Sequence, residues 1–183
     1  MQQYTEDELV ARLREPASQR DAFSYVVGMY SEKLYWQIRK MVLSHDDAND
    51  ILQNTFLKTW MNIEHFRGEA KLSTWLYKIA INECITFLNK QRNINNVSID
   101  DTDVFLLERL KGDEYFDGDA AQMKLQEAIL TLPEKQRLVF NMKYFDEMKY
   151  DEMSDILGTS VGALKASYHH AVKKVEEFLT KDL

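Results

Sequence analysis

The stretch DILGTSVGALKASYHHAVKK, residues 155–174, decides the fold of the C-terminal part of the chain. Gly158 is placed to end one helix in the left-handed conformation that glycine tolerates, and Ser160 is placed to cap the next helix. Upstream, Asp151 and Glu152 suit the first turn of a helix, because carboxylates interact favourably with the helix dipole. Residues 150–175 are therefore predicted to form a helix, a tight turn and a second helix.

The second helix of this unit has two different faces. The residues predicted to pack are Val161, Leu164, Tyr168, Ala171 or Val172, Val175 and Leu179. The opposite face carries Lys165, Ala166, His169, His170 and Lys173. A basic, hydrogen-bonding face of this width fits the DNA major groove, although a plain exposed helix has a similar composition. A metal site is disfavoured, because adjacent helical residues point about 100° apart and the chelating i, i+4 spacing is missing.

The composition favours an all-α protein with two small helical domains. Among 183 residues there are only six Gly and two Pro, and no alternating strand pattern competes with the helical periodicity. Cys84 is the sole cysteine, so a disulfide within the chain and a zinc site built from cysteines are both excluded. The polar, acidic start and the lack of a long apolar run predict a cytoplasmic protein that is not itself a membrane protein.

The charge is unevenly distributed along the chain, whose formal net charge is -7. Residues 20–92 hold ten basic and eight acidic side chains, whereas residues 93–120 hold two basic and eight acidic ones. We interpret 93–120 as an acidic linker between domains 1–92 and 121–183. It is either a solvated tether or a shield for basic surfaces when DNA is absent. Its apolar part, VFLLERL, has the composition of one short helical turn.

The N-terminal domain is predicted to be a helical bundle. Three sequence pairs match the capping box and place helix starts near residues 6, 19 and 45: Thr5 with Glu8, Ser18 with Asp21, and Ser44 with Asp47. A fourth helix is expected from about Ser73 to about Asn89, with Cys84 as a small core residue in its apolar stripe. In the C-terminal domain, Pro133 suits the first position of a helix.

Two stretches of the N-terminal domain have the composition of binding surfaces. The helix over residues 46–63 presents a mixed polar and apolar face that contains Asp50, Gln53, Asn54, Lys58 and Met61, suited to docking another helix. Residues 66–93 interleave cations with Phe66, Trp75 and Tyr77. Cations follow phosphates and aromatic rings stack on bases, so this mixture suits opened DNA. The alternative is that Phe66 and Trp75 simply fill the core.

Taken together, four motifs resemble the extracytoplasmic-function group of the sigma-70 family of bacterial sigma factors. They are DILQNTFLKTW (50–60), FRGEAKLSTWLYKIAIN (66–82), LTLPEKQRLVF (130–140) and YDEMSDILGTSVGALKASYHHAVKKVEEFL (150–179). They occur in the family's order and at its spacing, and the match covers nearly all of the chain outside the linker.

The resemblance implies a transcription initiation factor without catalytic chemistry or cofactor. Such a factor binds core RNA polymerase, through the beta-prime coiled coil and the beta flap, and directs it to promoter DNA. An anti-sigma factor, often membrane-bound, is a further implied partner. The implied polymerase-binding residues are Asp50, Gln53, Asn54 and Lys58. The implied -10 residues are Phe66, Arg67, Lys71, Trp75, Lys78 and Asn82, with Asn82 lining a pocket for a flipped base. The implied -35 residues are Ser160, Lys165, Ala166, His169, His170 and Lys173.

Two other classes of function fit the sequence less well. A free-standing helix-turn-helix regulator needs a dimer face or ligand pocket and a strong cationic surface of its own, and the sequence indicates neither. An enzyme is disfavoured, because the chain has no glycine-rich phosphate loop, zinc motif or nucleophile elbow.

Overall fold

The computed structural model of the protein describes residues 4–95, 102–112 and 120–181. Over these ranges the regular elements are all helical, which confirms the predicted all-α class. The helices are α1 (Glu6–Arg14), α2 (Gln19–Val42), α3 (His45–Met61), α4 (Leu72–Asn95), α5 (Thr102–Lys111), α6 (Ala120–Leu130), α7 (Glu134–Tyr144), α8 (Tyr150–Leu157) and α9 (Val161–Thr180). A 3₁₀ turn, Ile63–His65, follows α3.

Local side-chain caps explain where two of the N-terminal helices begin. At α1 the Thr5 hydroxyl accepts from the Glu8 amide at 3.3 Å, and the Glu8 carboxylate accepts from the Thr5 amide at 2.8 Å. This is the complete capping box that the sequence predicts. At α3 the Ser44 hydroxyl accepts from the Asp47 amide at 3.3 Å.

Two predicted helix starts differ in detail from the structure. Helix α2 begins at Gln19 as expected, but the Ser18 capping box is wrong, because the Ser18 hydroxyl donates to the Arg12 carbonyl at 3.0 Å. The Ser18 backbone is helical rather than extended, so its hydroxyl is not directed at the following amides. Pro133 occupies the capping position of α7 and Glu134 the first helical position, one residue later than expected.

The helix-turn-helix of the C-terminal domain matches its prediction. Helix α8 ends at Gly158, whose φ of 64° lies in the left-handed region. Helix α9 begins after Ser160, whose hydroxyl accepts from the Ala163 amide at 3.3 Å. Leu164 and Val175 are buried on the inner side of α9, as the sequence pattern indicates.

Helices α2, α3 and α4 form the core of the N-terminal domain. Leu34 and Ile38 of α2 are fully buried, and so are Leu76 and Cys84 of α4. Burial raises the pKa of the Cys84 thiol. The thiol therefore stays protonated and behaves as a small apolar group, which confirms the prediction that Cys84 is a core residue.

The two domains pack against each other through α8 and α4 and through α7 and α2. Met142 and Met153 of the C-terminal domain are buried in the same apolar cluster as Leu34 of α2. Ion pairs also cross this contact, from Lys40 to Asp146 and from Arg92 to Glu134. No sequence pattern indicated this contact, because each side of it is an ordinary apolar stripe of its own helix.

The central acidic segment contains a packed helix rather than a single turn. Parts of the predicted linker, residues 96–101 and 113–119, lie outside the described residues. Between them, α5 buries Leu106 in the shared core. Arg109 pairs with Asp47 at the start of α3 and lies 5.9 Å from the centre of the Phe87 ring. Apolar burial and an ion pair together hold α5 against the N-terminal domain.

Candidate functional site

The outer face of α4 gathers most of the residues that the sequence assigned to DNA. Lys71, Trp75, Lys78 and Asn82 follow one another at intervals of three or four residues, so they share one side of the helix. Lys71, Lys78 and Asn82 are exposed and Trp75 is half-buried. Helix α8 packs elsewhere on α4, around Tyr77, about 200° from Trp75. The outer face therefore remains open when the two domains are in contact.

Burial affects the acid–base chemistry of the domain contact. It raises the pKa of Tyr77 to about 12, with further contributions from Asp146 and Tyr30. Burial also raises the pKa of the Asp146 carboxyl, against the opposing effect of Lys40. The Tyr77 phenol therefore stays neutral near pH 7, and burial disfavours the charged form of the Asp146 carboxyl.

Phe66 has a different role from its neighbours in this structure. It is buried, and its ring stacks on Trp75 with the ring centres 4.8 Å apart and the planes 24° apart. The core alternative is therefore favoured for Phe66, and its predicted DNA contact would require it to leave this packing. The Arg14 guanidinium donates to the carbonyls of Phe66 and Arg67 and fixes the loop that precedes α4.

An open cavity of about 460 Å³ lies where α4, the end of α3 and the 3₁₀ turn meet. The polar and aromatic residues that line it are Lys58, Asn62, His65, Trp75, Asn82, Glu83 and Thr86. Its size falls within the range of about 300–1,000 Å³ that is typical of small-ligand sites. Of these residues, Asn82 and Trp75 were predicted from the sequence to contact the -10 element.

Four polar residues of this cavity were not predicted from the sequence: Asn62, His65, Glu83 and Thr86. Glu83 and Thr86 lie eight and eleven residues after Trp75, and both intervals return to roughly the same side of a helix. That spacing was the signal in the sequence that could have placed Glu83 and Thr86 beside Trp75. Asn62 and His65 carried no such signal, because only the end of α3 and the 3₁₀ turn bring them beside α4.

Lys58 differs from the other residues predicted to bind a partner through α3, because its side chain contacts another helix. Its ammonium group pairs with the Glu83 carboxylate of α4 at 2.5 Å, at the edge of the cavity. Asp50, Gln53 and Asn54 remain exposed on the outer face of α3. In this structure the Lys58 ammonium is therefore engaged with α4, although Lys58 lies on α3 one turn after Asn54.

The outer face of α3 exposes large apolar side chains beside its polar ones. Leu57 is 57% exposed and Met61 is 69% exposed. Leu57 follows Asp50 by seven residues, two helical turns, so it shares the face with Asp50 and Asn54. Leu57 was not among the predicted binding residues, although this interval places it there. Exposed apolar side chains beside polar ones are typical of a protein-binding surface.

The outer face of α9 is exposed along its length. Lys165, Ala166, His169, His170 and Lys173 are all exposed, as the sequence pattern indicates. The Lys165 ammonium lies 5.7 Å from the centre of the Tyr150 ring, and the rings of His169 and His170 are 6.0 Å apart. Ser160 is exposed at the start of the helix, where its hydroxyl serves as the cap.

Comparison with known proteins identifies the family. The Sigma-70 region 2 family matches residues 26–94, and the Sigma-70 region 4 family matches residues 122–175. The ECF RNA polymerase sigma factor SigW of Bacillus subtilis (strain 168) is 32% identical over 158 residues, which span 82% of this chain and 84% of that protein. The chain belongs to the extracytoplasmic-function sigma factors. It is a transcription initiation factor that directs RNA polymerase to promoters.

Two solved structures have a similar fold to this sigma factor. CnrH, in complex with the cytosolic domain of CnrY, is 19% identical with a TM-score of 0.69, covering 97% of this chain and 99% of that one. The sigma factor RpoE of Bartonella quintana, in complex with the anti-sigma factor NepR, is 20% identical with a TM-score of 0.65, covering 88% of this chain and 98% of that one. At these identities the likeness concerns the fold.

Across residues 4–95, 102–112 and 120–181, no helix of the sigma factor combines the length and the apolar character needed to cross a bilayer.

Proposed function

We propose that three surfaces of the sigma factor divide the work of promoter recognition. Residues 1–92 bind core RNA polymerase through α3 and the -10 element through α4. Residues 121–183 bind the -35 element through α9 and the beta flap of the polymerase, and residues 93–120 connect the two domains. The protein acts in the cytoplasm, without catalysis or cofactor.

The observation that carries the polymerase assignment is the exposed mixed face of α3. Leu57 and Met61 are solvent-exposed apolar side chains that contribute nothing to the core of the domain. Asp50, Gln53 and Asn54 surround them with groups that accept or donate hydrogen bonds. A face of this kind suits the beta-prime coiled coil, because an apolar centre gives affinity and polar neighbours give register.

Co-elution with purified core RNA polymerase tests this assignment. The wild-type protein is expected to co-elute, and Asp50→Lys is expected to abolish co-elution because it reverses a charge at the proposed contact. Asp7→Lys is the matched control, since Asp7 is an exposed acid on α1. Equal co-elution of all three proteins would contradict the assignment of α3.

The cavity on α4 supports the -10 assignment. An amide such as that of Asn82 both donates to and accepts from a base edge, and an open cavity beside it has room for a base taken out of the stack. Arg67, Lys71 and Lys78 are exposed cations that bind neighbouring phosphates in this scheme. Trp75 provides an aromatic surface on which a base stacks.

The exposed face of α9 supports the -35 assignment. His169 and Lys165 lie four residues apart on the convex side of the second helix of a helix-turn-helix, the element that enters the major groove in such folds. Lys173, further along α9, is placed for a backbone phosphate. Ser160 sits at the helix start, where free amides favour an anion.

Promoter binding requires the two domains to separate. The -10 and -35 elements lie, by the positions in their names, roughly 25 base pairs apart, which at about 3.4 Å per base pair is roughly 85 Å of duplex, whereas α8 and α4 are in direct contact here. Core polymerase supplies a scaffold that holds two individually weak sites at this distance, so they act together through effective concentration. An acidic chain can thus recognise DNA as part of a larger assembly.

An anti-sigma factor is the proposed regulator. The likeness to RpoE in its complex with the anti-sigma factor NepR supports a partner of this class.

A further inference from the structure

Helix α1 contacts both ends of the loop that leads into α4, although the two segments are more than 50 residues apart in the sequence. The loop, residues 66–71, carries Arg67 and Lys71, two of the exposed cations assigned to the -10 element. Helix α1 itself precedes residues 26–94, which match the Sigma-70 region 2 family. The contacts between α1 and the loop therefore lie outside the matched region.

The first contact caps the start of α4. Oε1 of Glu6 accepts from the Leu72 amide at 2.7 Å. The first amides of a helix have no partner within the helix, and a Ser, Thr, Asp or Asn just before it usually supplies an acceptor. Here Lys71 stands just before α4, and its ammonium accepts no hydrogen bond and is disfavoured at the positive end of the helix dipole. Glu6 thus supplies, from α1, the acceptor and the negative charge that the local sequence lacks.

The second contact holds the beginning of the loop. The Arg14 guanidinium donates to the Arg67 carbonyl, and to the Phe66 carbonyl at 3.4 Å. Gly68 has a φ of 73°, a conformation that glycine adopts at little cost. A β-carbon on Gly68 would lie 3.2 Å from the Arg14 guanidinium and 3.5 Å from the Val10 side chain. The glycine therefore lets α1 approach the backbone of the loop closely.

We propose that Glu6 and Arg14 are positioning residues for -10 recognition. They hold the loop in the conformation in which Arg67 and Lys71 meet the DNA backbone. Both act through the backbone of the loop rather than on the DNA. This inference rests on the proposed -10 function of α4 and its preceding loop, and it extends that function to α1.

The physical reason is the entropy of the loop. A loop that is free in solution loses conformational entropy when it binds DNA, and this loss weakens binding. The hydrogen bonds from Glu6 and Arg14 restrict the loop before DNA is present, so the loss occurs on folding instead. The two anchored groups are the Arg67 carbonyl and the Leu72 amide, which lie at or next to the two cations. Their anchoring fixes the backbone from which both cations extend.

Binding of preformed holoenzyme to a promoter fragment with an unpaired -10 region tests the proposal. Fluorescence anisotropy of the labelled fragment measures the affinity. Arg14→Ala and Glu6→Ala are each expected to weaken binding about fivefold, since each removes a hydrogen bond to a charged group that holds the loop. Glu6→Gln keeps an oxygen that accepts from the Leu72 amide, so it is expected to bind within about twofold of the wild type.

Two matched controls account for changes of charge alone. Asp7→Ala removes an exposed acid from the same first turn of α1 as Glu6, and Arg20→Ala removes an exposed arginine from α2. Both variants are expected to bind as the wild type does. Binding is measured well below the melting temperature of every variant, so that unfolding does not cause a loss of affinity.

A double-mutant comparison shows whether Arg14 acts through the loop. In a protein that already carries Arg67→Ala and Lys71→Ala, adding Arg14→Ala should weaken binding by about twofold or less, because the cations that Arg14 positions are absent. In a Lys173→Ala protein, whose change lies on α9, the same substitution should keep its full effect of about fivefold. A full effect in both backgrounds would mean that Arg14 binds DNA itself, and it would overturn the positioning role.

The remaining outcomes separate the inference from the function on which it rests. Wild-type affinity in Arg14→Ala and Glu6→Ala, with weakened binding when Arg67 and Lys71 are both replaced by Ala, would overturn the role of α1 and leave the -10 assignment standing. Wild-type affinity in that double variant as well would overturn the assignment of the loop to -10 DNA. If Arg14→Ala does not fold, Glu6→Ala and Glu6→Gln decide the question, because equal losses in both would exclude the hydrogen bond to Leu72 as the cause.

Discussion

The DNA-facing surfaces of α4 and α9 are both helix faces with cations and hydrogen-bonding groups, yet they are built differently. The α4 surface includes a cavity whose walls come from α3, the 3₁₀ turn and α4, and whose tryptophan rests on the buried Phe66. The α9 surface consists of exposed side chains on one helix. The first is assembled by tertiary contacts, whereas the second exists as soon as α9 forms.

This difference matches two ways of recognising DNA. A concave site with packed walls suits a single base removed from the duplex, because it must surround that base. A convex helix suits an intact major groove, which the helix enters. We therefore expect substitutions at the α4 cavity to have large and position-specific effects, and substitutions on α9 to have smaller effects that depend on salt.

The largest effect is expected for Trp75→Ala. Removing the ring opens a gap against Phe66, and for a half-buried tryptophan we expect a loss of about 2–3 kcal/mol in the free energy of unfolding, below the ~3–5 kcal/mol of a fully buried one. Urea unfolding measures this change. Trp36→Ala is the matched control, because Trp36 is 52% exposed. Similar losses for the two variants would mean that Trp75 has no special structural role.

Asn82→Ala comes next, with a loss of about 1–3 kcal/mol of discrimination at one -10 position. Transcription from -10 variants by reconstituted holoenzyme measures the loss. Asn89→Ala offers a control on the same helix, seven residues further along, where the exposed amide lies outside the cavity. If discrimination among -10 variants is the same in Asn82→Ala and the wild type, the cavity is not the base pocket.

Lys173→Ala tests the α9 side of the comparison. We expect promoter binding to weaken by no more than about 1 kcal/mol, because Lys173 is exposed. The loss should be the same for all -35 sequences, and the slope of log K against log salt should fall by about 0.9, the value for one phosphate. Salt titrations of holoenzyme binding measure both quantities. Lys174→Ala is the control substitution, because the Lys174 ammonium donates to the Gln136 side chain at 3.3 Å. A loss confined to particular -35 sequences would indicate a base contact instead.

The smallest effect concerns Asp146, at the domain contact away from both surfaces. Burial raises the pKa of its carboxyl above the usual 3.8, so folding penalises the charged form at neutral pH. This penalty is relieved as the pH falls through the raised pKa. The melting temperature of the wild type, relative to Asp146→Asn, should therefore rise between pH 7 and pH 4. A relative fall over that range would mean that the attraction of Lys40 outweighs burial.

Local sequence patterns predicted much of the fold correctly. The end of α8 and the start of α9 match, because Gly158 and Ser160 act on backbone groups within a few residues of themselves. The complete capping box at Thr5 matches for the same reason. The Ser18 box failed because the Ser18 backbone is helical, so its hydroxyl is directed at the Arg12 carbonyl and not at the following amides. The start of a helix is thus predictable where the backbone of the capping residue is extended and its side chain is free to accept from the first amides of the helix.

The candidate sites were predicted less completely than the helices. Spacing along α4 placed Lys71, Trp75, Lys78 and Asn82 on one face, and the structure brings them together. The same approach grouped Lys58 with the α3 face, since a helix position says nothing about a side chain that reaches across to another helix. It missed Glu83, because its spacing after Trp75 places it near the same face but does not single out one acid among the cations.

The sequence by itself determined the helical class, most of the caps, the faces of each helix and the family. Each of these depends on residues that are close in the sequence or on motifs that follow one another in a fixed order. Only the tertiary structure decided that Lys58 meets Glu83, that Phe66 supports Trp75, that α5 docks through Leu106 and that α8 covers α4. These are contacts between segments distant in the chain. Their energy comes from apolar burial and charge pairing that exist only once the helices are brought together.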